Sequence, residues 1–270
     1  MTLLASWVGV EFQKGGARPA SLYIATDSQI SWDNSHTYSF GKKVFGMRNH
    51  PDIFGYCGDV LFVTTVISQI IDQADSQILF SEGMSAQTKF DLIFSIIRTA
   101  LTPYPPDQTT GSFVIIYATR DIDKNFHCYR ISWNSTEGIT SSKIKLPSFS
   151  GVVTVEGSGK DNFNNRFFYE HDHEKKNNNK TSRTVYHCFT ETIDNNADYR
   201  VGGAPQVVGL YRIRNARFFG IVVNSKRFFM GQEISSGENL NFVEWRNDLF
   251  ERYDPKELKI LESAQRQPRS

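Results

Sequence analysis

Thr2 follows the first methionine of the chain. Removal of Met1 would leave a hydroxyl nucleophile and a free α-amine on one residue. Such an amine has an ordinary pKa of about 8, so it can act as a base near neutrality. A hydroxyl nucleophile of this kind wants three more parts. A lysine ammonium lowers the proton affinity of the amine or hydroxyl, a carboxylate orients that lysine, and a backbone N–H holds the oxyanion. The chain offers candidates in order: Asp27 in Ala25-Thr26-Asp27-Ser28, Lys43 before Val44, and Gly58 in Cys57-Gly58-Asp59. Each alone has a plainer use. Asp27 would cap a turn with Ser28, Lys43 would be a solvated strand-edge charge, and Gly58 would allow close backbone approach.

The elements that must position them follow from pattern. TLLASWVGVEF is rich in β-formers, QKGGARPA supplies a turn, and SLYIATD returns as a second strand ending at Asp27. SWDNSHTYSFG is expected as a loop, KKVFGM as a short strand carrying Lys43, and DIFGYCG as a strand that puts Gly58 at a strand-to-helix junction. Val60, Val63, Ile67, Ile70, Ile71 and Ala74 predict a helix over 59–75; Phe90, Ile93, Phe94, Ile97 and Leu101 predict another over 84–101. Asp59 and Ser85 are their expected caps, and the run Pro103-Tyr104-Pro105-Pro106-Asp107 stops the second. Strands SFVIIYATR, FHCYRISW, ITSSKIKL and GVVTVEG come next, then helices near 160–170 and 181–195 around a polar insert, EHDHEKKNNNK. Strands QVVGLYRI, FFGIVVN and KRFFM close a domain over 1–232; 233–270 reads as a polar extension with one helix around VEWRNDLFERY. Segregated runs of strands and helices predict an α+β fold, a four-layer α-β-β-α sandwich in which two sheets bury each other's inner faces.

In that order the motifs resemble the proteasome β-subunit family, including its simpler bacterial peptidase relatives, from the N-terminus to about residue 223. Asp27 matches the family's strand-end aspartate, Lys43 its catalytic lysine, and Gly58 the glycine whose N–H makes the oxyanion hole. Gly157-Ser158-Gly159 is similar to the family's Gly-Ser-Gly motif, which implies Ser158 as a supporting hydroxyl. Asp198, ahead of Val201-Gly202-Gly203, resembles the family's later aspartate and glycine pair; Val201 stands where the family has a serine. The resemblance implies the N-terminal-nucleophile hydrolase fold, a threonine-type peptidase with Thr2 as nucleophile, and a peptide or unfolded-protein substrate. It also implies self-association into a homo-oligomeric ring, and an ATP-dependent unfoldase as partner.

One register does not fit. Aligning Trp7-Val8-Gly9-Val10 with the family's first strand core puts Ala5 in the nucleophile slot. A bulge could return Thr2 to it, although an offset of three reverses side-chain parity. Cleavage after Ala5 would instead expose Ser6. A third reading has no nucleophile, and the chain is then a catalytically silent subunit or interaction scaffold. A small-amide amidase of the same fold is a further alternative.

Composition narrows the rest. Thirty basic and 29 acidic residues leave a net charge of +1, which makes no case for nucleic acid or a membrane surface as partner. Cys57, Cys128 and Cys188 fit neither a disulfide framework nor zinc spacing and read as reduced thiols of a cytoplasmic protein. The N-terminus has no signal-peptide pattern, and no stretch is long enough to span a bilayer. No metal or cofactor is called for. Gly157-Ser158-Gly159-Lys160 lacks the upstream glycine of a phosphate loop, and the His171-x-His173 cluster reads as solvated charge.

Overall fold

Alternation along the first strand decides the architecture. In the computed structural model, β1 (Leu4–Gln13) pairs antiparallel with β2 (Gly16–Thr26), Leu4 opposite Thr26 and Val8 opposite Leu22. Odd residues Leu3, Ala5 and Trp7 face one side, where they join Tyr23, Ala25 and the helix residues Phe163, Val185 and Tyr186. Even residues Leu4 and Val8 face the other, with Leu22 and Ile24, against Val44, Ile53 and Ile116 of a second sheet. The structure describes residues 2–13, 16–32, 36–105, 111–172, 181–195, 197–235, 237 and 239–265.

The second sheet is built from β5 (Val44–Gly46), β6 (Asp52–Gly58), β7 (Ser112–Arg120), β8 (Phe126–Asn134) and β9 (Gly138–Ile144), in that order and antiparallel throughout. Helices α1 (Leu61–Asp75) and α2 (Ala86–Leu101) lie on its outer face, where Ile67, Ile70, Phe90 and Ile93 meet Phe54, Tyr56, Tyr117 and Tyr129. The first sheet runs β10 (Gly151–Glu156), β1, β2, β11 (Gln206–Tyr211), β12 (Arg217–Val223), β13 (Lys226–Phe229) and β14 (Gln232–Glu233). Helices α3 (Lys160–Asp172) and α4 (Ser182–Asp194) cover it. Trp7 sits at the centre of that contact. Its ring stacks on Tyr23 at 5.2 Å between centroids, and its indole N–H donates to Ser182 Oγ at 2.9 Å, at the start of α4. Burying each such large side chain stabilises the fold by about 1.5–3 kcal/mol.

The expected caps lie where the spacing put them. Phe62 N–H donates to Asp59 Oδ1 at 2.8 Å, and Thr88 N–H donates to Ser85 Oγ at 3.1 Å. These satisfy amides that a helix start leaves without a partner. The polar insert falls largely on 173–180, outside the described residues.

Three expectations need correction. SWDNSHTYSFG is not simply a loop, because β3 (Ile30–Trp32) and β4 (His36–Tyr38) pair within it as a short hairpin. Lys43 lies just ahead of β5 rather than inside it. The segment 243–253 forms no helix: β15 (Glu244–Arg246) adds parallel to β12, followed by a hairpin of β16 (Tyr253–Asp254) and β17 (Lys259–Ile260). Two aromatic anchors, five residues apart and so not on one helix face, fix the segment instead. Trp245 lies on Gly220, where a Cβ would stand 2.4 Å from its ring, and Phe250 enters the aromatic layer around Trp7 and Tyr186. Among the described residues no helix is long and apolar enough to cross a membrane.

Candidate active site

At one end of the two sheets, where β1 begins and β2 ends, three of the expected residues meet. Lys43 Nζ is 2.6 Å from Thr2 Oγ1 and 3.1 Å from Asp27 Oδ1, and it also donates to the Gln29 carbonyl. All three side chains are buried. Asp27 is held from several sides: Oδ1 accepts from Leu3 N–H at 3.0 Å, and Oδ2 accepts from Gln29 and Gly202 N–H, each at 3.1 Å. Leu3 and Asp27 also bond through the main chain, Asp27 N–H donating to Leu3 O at 3.2 Å. The carboxylate that orients the lysine therefore also fixes the backbone next to Thr2.

Side-chain parity explains why Thr2 and not Ala5 reaches Lys43. Thr2 shares the even face with Leu4 and Val8, which looks toward the second sheet, and Lys43 arrives from that sheet next to Val44. Ala5 is on the odd face, between Ala25 and Val155 in the sheet and against the helices. β1 itself alternates without a break: its register shifts, at Ser6/Trp7 against β10 and at Gly9/Val10 against β2, leave the extra residue on the partner strand, Val153 or Ala20, so Thr2 reaches Lys43 without the bulge that the sequence reading called for. Ser6 is fully buried within the sheet, its hydroxyl donating to Tyr23 O at 2.9 Å.

Of the neighbouring motifs, Gly157-Ser158-Gly159 is the one in contact with Thr2. Gly157 has φ +91°, and a Cβ on it would fall 2.0 Å from Thr2 O and 3.5 Å from Cys57 Cβ. Only a glycine lets the Thr2 carbonyl come so close, and the same contact brings the Cys57-Gly58 strand end beside the site. Gly58, at φ +98°, turns out of β6 over the Ser112 carbonyl, where a Cβ would clash at 2.1 Å. Gly159 N–H donates to Thr2 O at 3.4 Å. The Ser158 hydroxyl is buried without a partner of full hydrogen-bond geometry, yet near enough to Asp198 to favour its ionised form. Burial pushes the Asp198 carboxyl up, but hydrogen bonds from Arg200 and Ser158 outweigh it and hold it below the usual range. Val201 is buried against Gly159.

Burial dominates the electrostatics of the lysine. It lowers Lys43 below the ordinary lysine value, against the opposing pull of Asp27. Burial likewise raises the Asp27 carboxyl, against the pull of Lys43 and the N–H groups of Gly202 and Leu3. The Thr2 hydroxyl, 2.6 Å from Nζ, is the neighbour whose proton a neutral lysine can take. Cys57 is no rival nucleophile: burial, with Glu156 beside it, pushes its thiol up to about 12.

One residue escaped the sequence reading. Gln206, fully buried at the start of β11, donates Nε2 to Asp27 O at 3.2 Å and to Gly41 O at 2.7 Å. Its Oε1 accepts from Lys43 N–H at 3.2 Å. A lone amide opening the apolar run Gln-Val-Val-Gly-Leu-Tyr was the available signal. Among the described residues, no group of acidic, histidine and cysteine side chains is disposed to hold a metal.

By sequence, neither a protein-family model nor a curated protein matches the chain. By structure it is similar to Anbu, described as an ancestral β-subunit, from Yersinia bercovieri. The TM-score is 0.51 at 10% identity, over 77% of this chain and 81% of that one. A likeness at that identity speaks for the fold alone. Among the described residues the chain has a mixed α+β fold of mostly antiparallel sheets and four helices, similar to the fold of that subunit.

Proposed function

We propose that the chain is a threonine-type peptidase on the four-layer α-β-β-α sandwich of the N-terminal-nucleophile hydrolases. The observation that carries this reading is the 2.6 Å approach of Lys43 Nζ to Thr2 Oγ1, with Asp27 behind the lysine at 3.1 Å. Cleavage of the Met1–Thr2 bond frees the α-amine. Thr2 Oγ1 adds to the scissile carbonyl, and its proton passes to Lys43 Nζ or on to that amine. The Gly58 N–H stabilises the oxyanion. The leaving amine departs with the proton, and water then hydrolyses the acyl ester by the same route in reverse. Ser158 serves the freed amine in this reading, and Asp198 supports Ser158, whose buried hydroxyl lowers the Asp198 carboxyl. A closed homo-oligomer, an unfoldase partner and a cytoplasmic setting belong to this reading as proposals.

Val201, in place of a hydroxyl, favours a second reading: a catalytically silent subunit of the same fold. One experiment separates the two. Intact-mass spectrometry after treatment with an epoxyketone or β-lactone should show a mature terminus at Thr2 and one adduct, absent from Thr2→Ala. Retained Met1, or wild-type protein that takes up no electrophile, would leave the silent reading standing. The peptidase and the amidase differ next, in whether a labelled unfolded protein or only small amides are turned over.

A further inference from the structure

The net charge of +1 conceals a segregation. At the end of the sheets away from Thr2, four chain segments converge: the start of β2, the β7–β8 turn, the end of β9 and the β11–β12 turn. Arg18 lies eight residues up β2 from Thr26, roughly 25 Å at strand rise. The segments enclose a cavity of about 940 Å³. Arg18, Lys124, Lys143, Lys145 and Arg212 line it against one carboxylate, Asp123. A second cavity of about 700 Å³ shares Lys124 and Arg212 and adds Arg120 and Arg214. Its acids are Glu82 and Asp121, and Asp121 is committed to His127 at 2.9 Å.

The cleft is framed by fixed groups. Arg212 donates Nε to Pro19 O at 3.0 Å, Nη2 to Arg18 O at 3.1 Å and Nη1 to Glu11 Oε2 at 3.2 Å, so it stands as the wall between the cavities. Lys124 occupies a left-handed position, φ 67°, in a turn closed by Asn125 N–H on Asp121 Oδ1 at 2.8 Å. Among the described residues, Arg18, Lys124, Lys143, Lys145 and Arg214 form no ion pair. Cations crowded around one cavity repel each other, and a dense anion relieves that repulsion.

We propose that this cleft binds a linear polyphosphate chain, as carried by a nucleoside triphosphate or by inorganic polyphosphate. Charge density selects that chemistry. A triphosphate brings about four negative charges into one short chain, and four cations on one cavity, Arg18, Lys124, Lys143 and Lys145, have no ion pair among the described residues. An acidic peptide spreads its charge at about 3.4 Å per residue, with alternate side chains turned away. Lysines suit phosphate as point charges that need no fixed fork geometry.

The test is calorimetric titration of the full chain with inorganic tripolyphosphate and, separately, with ATP. Variants are Thr2→Ala, Lys124→Glu, and the double Lys143→Glu, Lys145→Glu. All three lysines are exposed, and thermal melts confirm that each variant is folded. Wild type and Thr2→Ala should bind tripolyphosphate alike, with affinity weakened about tenfold by the double variant and several-fold by Lys124→Glu. Raising salt from about 50 to about 300 mM should weaken binding further. ATP tighter than tripolyphosphate assigns a nucleoside triphosphate, and equal or weaker ATP assigns the inorganic chain. No binding at low salt, unchanged affinity in both charge variants, or tighter binding of a single-stranded oligonucleotide would overturn the proposal. Since Thr2→Ala is expected to bind normally, failure here is distinguishable from failure of the peptidase reading.

Discussion

Gln206 joins the main chains of Asp27 and Lys43, so the lysine's position rests on an amide that touches neither Thr2 nor substrate. Gln206→Leu keeps the volume but leaves buried backbone groups without partners, a loss of about 3 kcal/mol by denaturant titration. Removing the lysine is expected to act differently. Lys43→Met should abolish electrophile addition and cost about 3–5 kcal/mol, because Asp27 is left as an uncompensated buried charge. Burial lowers Lys43, so the rate of electrophile addition should rise with pH through a value below 10.5 and then level off. Stability has the same sign. Between the folded and unfolded values the unfolded chain binds more protons at Lys43. That contribution grows toward pH 10.5 and is lost as pH falls through the folded value. A rate flat with pH from about neutral to about the ordinary lysine value, or Gln206→Leu with an unshifted profile, would remove Lys43 or Gln206 respectively from the proton path. At this scale the residue types were legible, since Thr2, Asp27 and Lys43 stand in the sequence in the order the chemistry needs. Their meeting was not, because it depends on which layer each face of β1 looks toward, and no local pattern tells that Lys43 comes from the sheet under the even face.

Elements impose their own requirements on the site. Gly157 yields to the Thr2 carbonyl, so Gly157→Ala must push Thr2 away or strain a left-handed backbone. A loss of about 1–3 kcal/mol and a strongly reduced adduct yield are expected, checked by melting and mass spectrometry. Gly159→Ala meets only Leu3 and Val201 side chains, at 3.0–3.1 Å, and should be milder. The C-terminal segment offers a second test. Trp245→Ala should cost about 3–5 kcal/mol, which a detachable polar extension would not. Strands with clear alternation and helices with capped starts were readable because local pattern and tertiary environment agree there. The 243–253 helix was misread because Trp245 and Phe250, five residues apart and so not on one helix face, are anchored separately, one on Gly220 and one among Trp7, Tyr23 and Tyr186. The β3–β4 hairpin was missed for the opposite reason. Its exposed residues bury no apolar face, so no periodicity marks it.

For the whole molecule, a balanced composition proved a poor guide to surface. Equal numbers of charges say nothing of where they lie, and the turns at the far end gather cations that the strands between keep apart in sequence. Assembly is the corresponding test for the proposed function. Sedimentation is expected to give a multiple of the single-chain mass, and a strict monomer would remove the ring from the proposal while leaving the fold as it is.

The docking of Phe250 against Trp7 has a consequence for the order of synthesis. Two rings far apart in the chain meet there, and the layer between the first sheet and α4 stays open until the later one has been made. Trp7, Tyr23 and Tyr186 are therefore unsealed while the segments between them and Phe250 are being synthesised, exposed to holdases and to neighbouring nascent chains. This half of the molecule cannot finish folding before residue 250 joins it, and the strand that begins beside Thr2 gains its finished surroundings late.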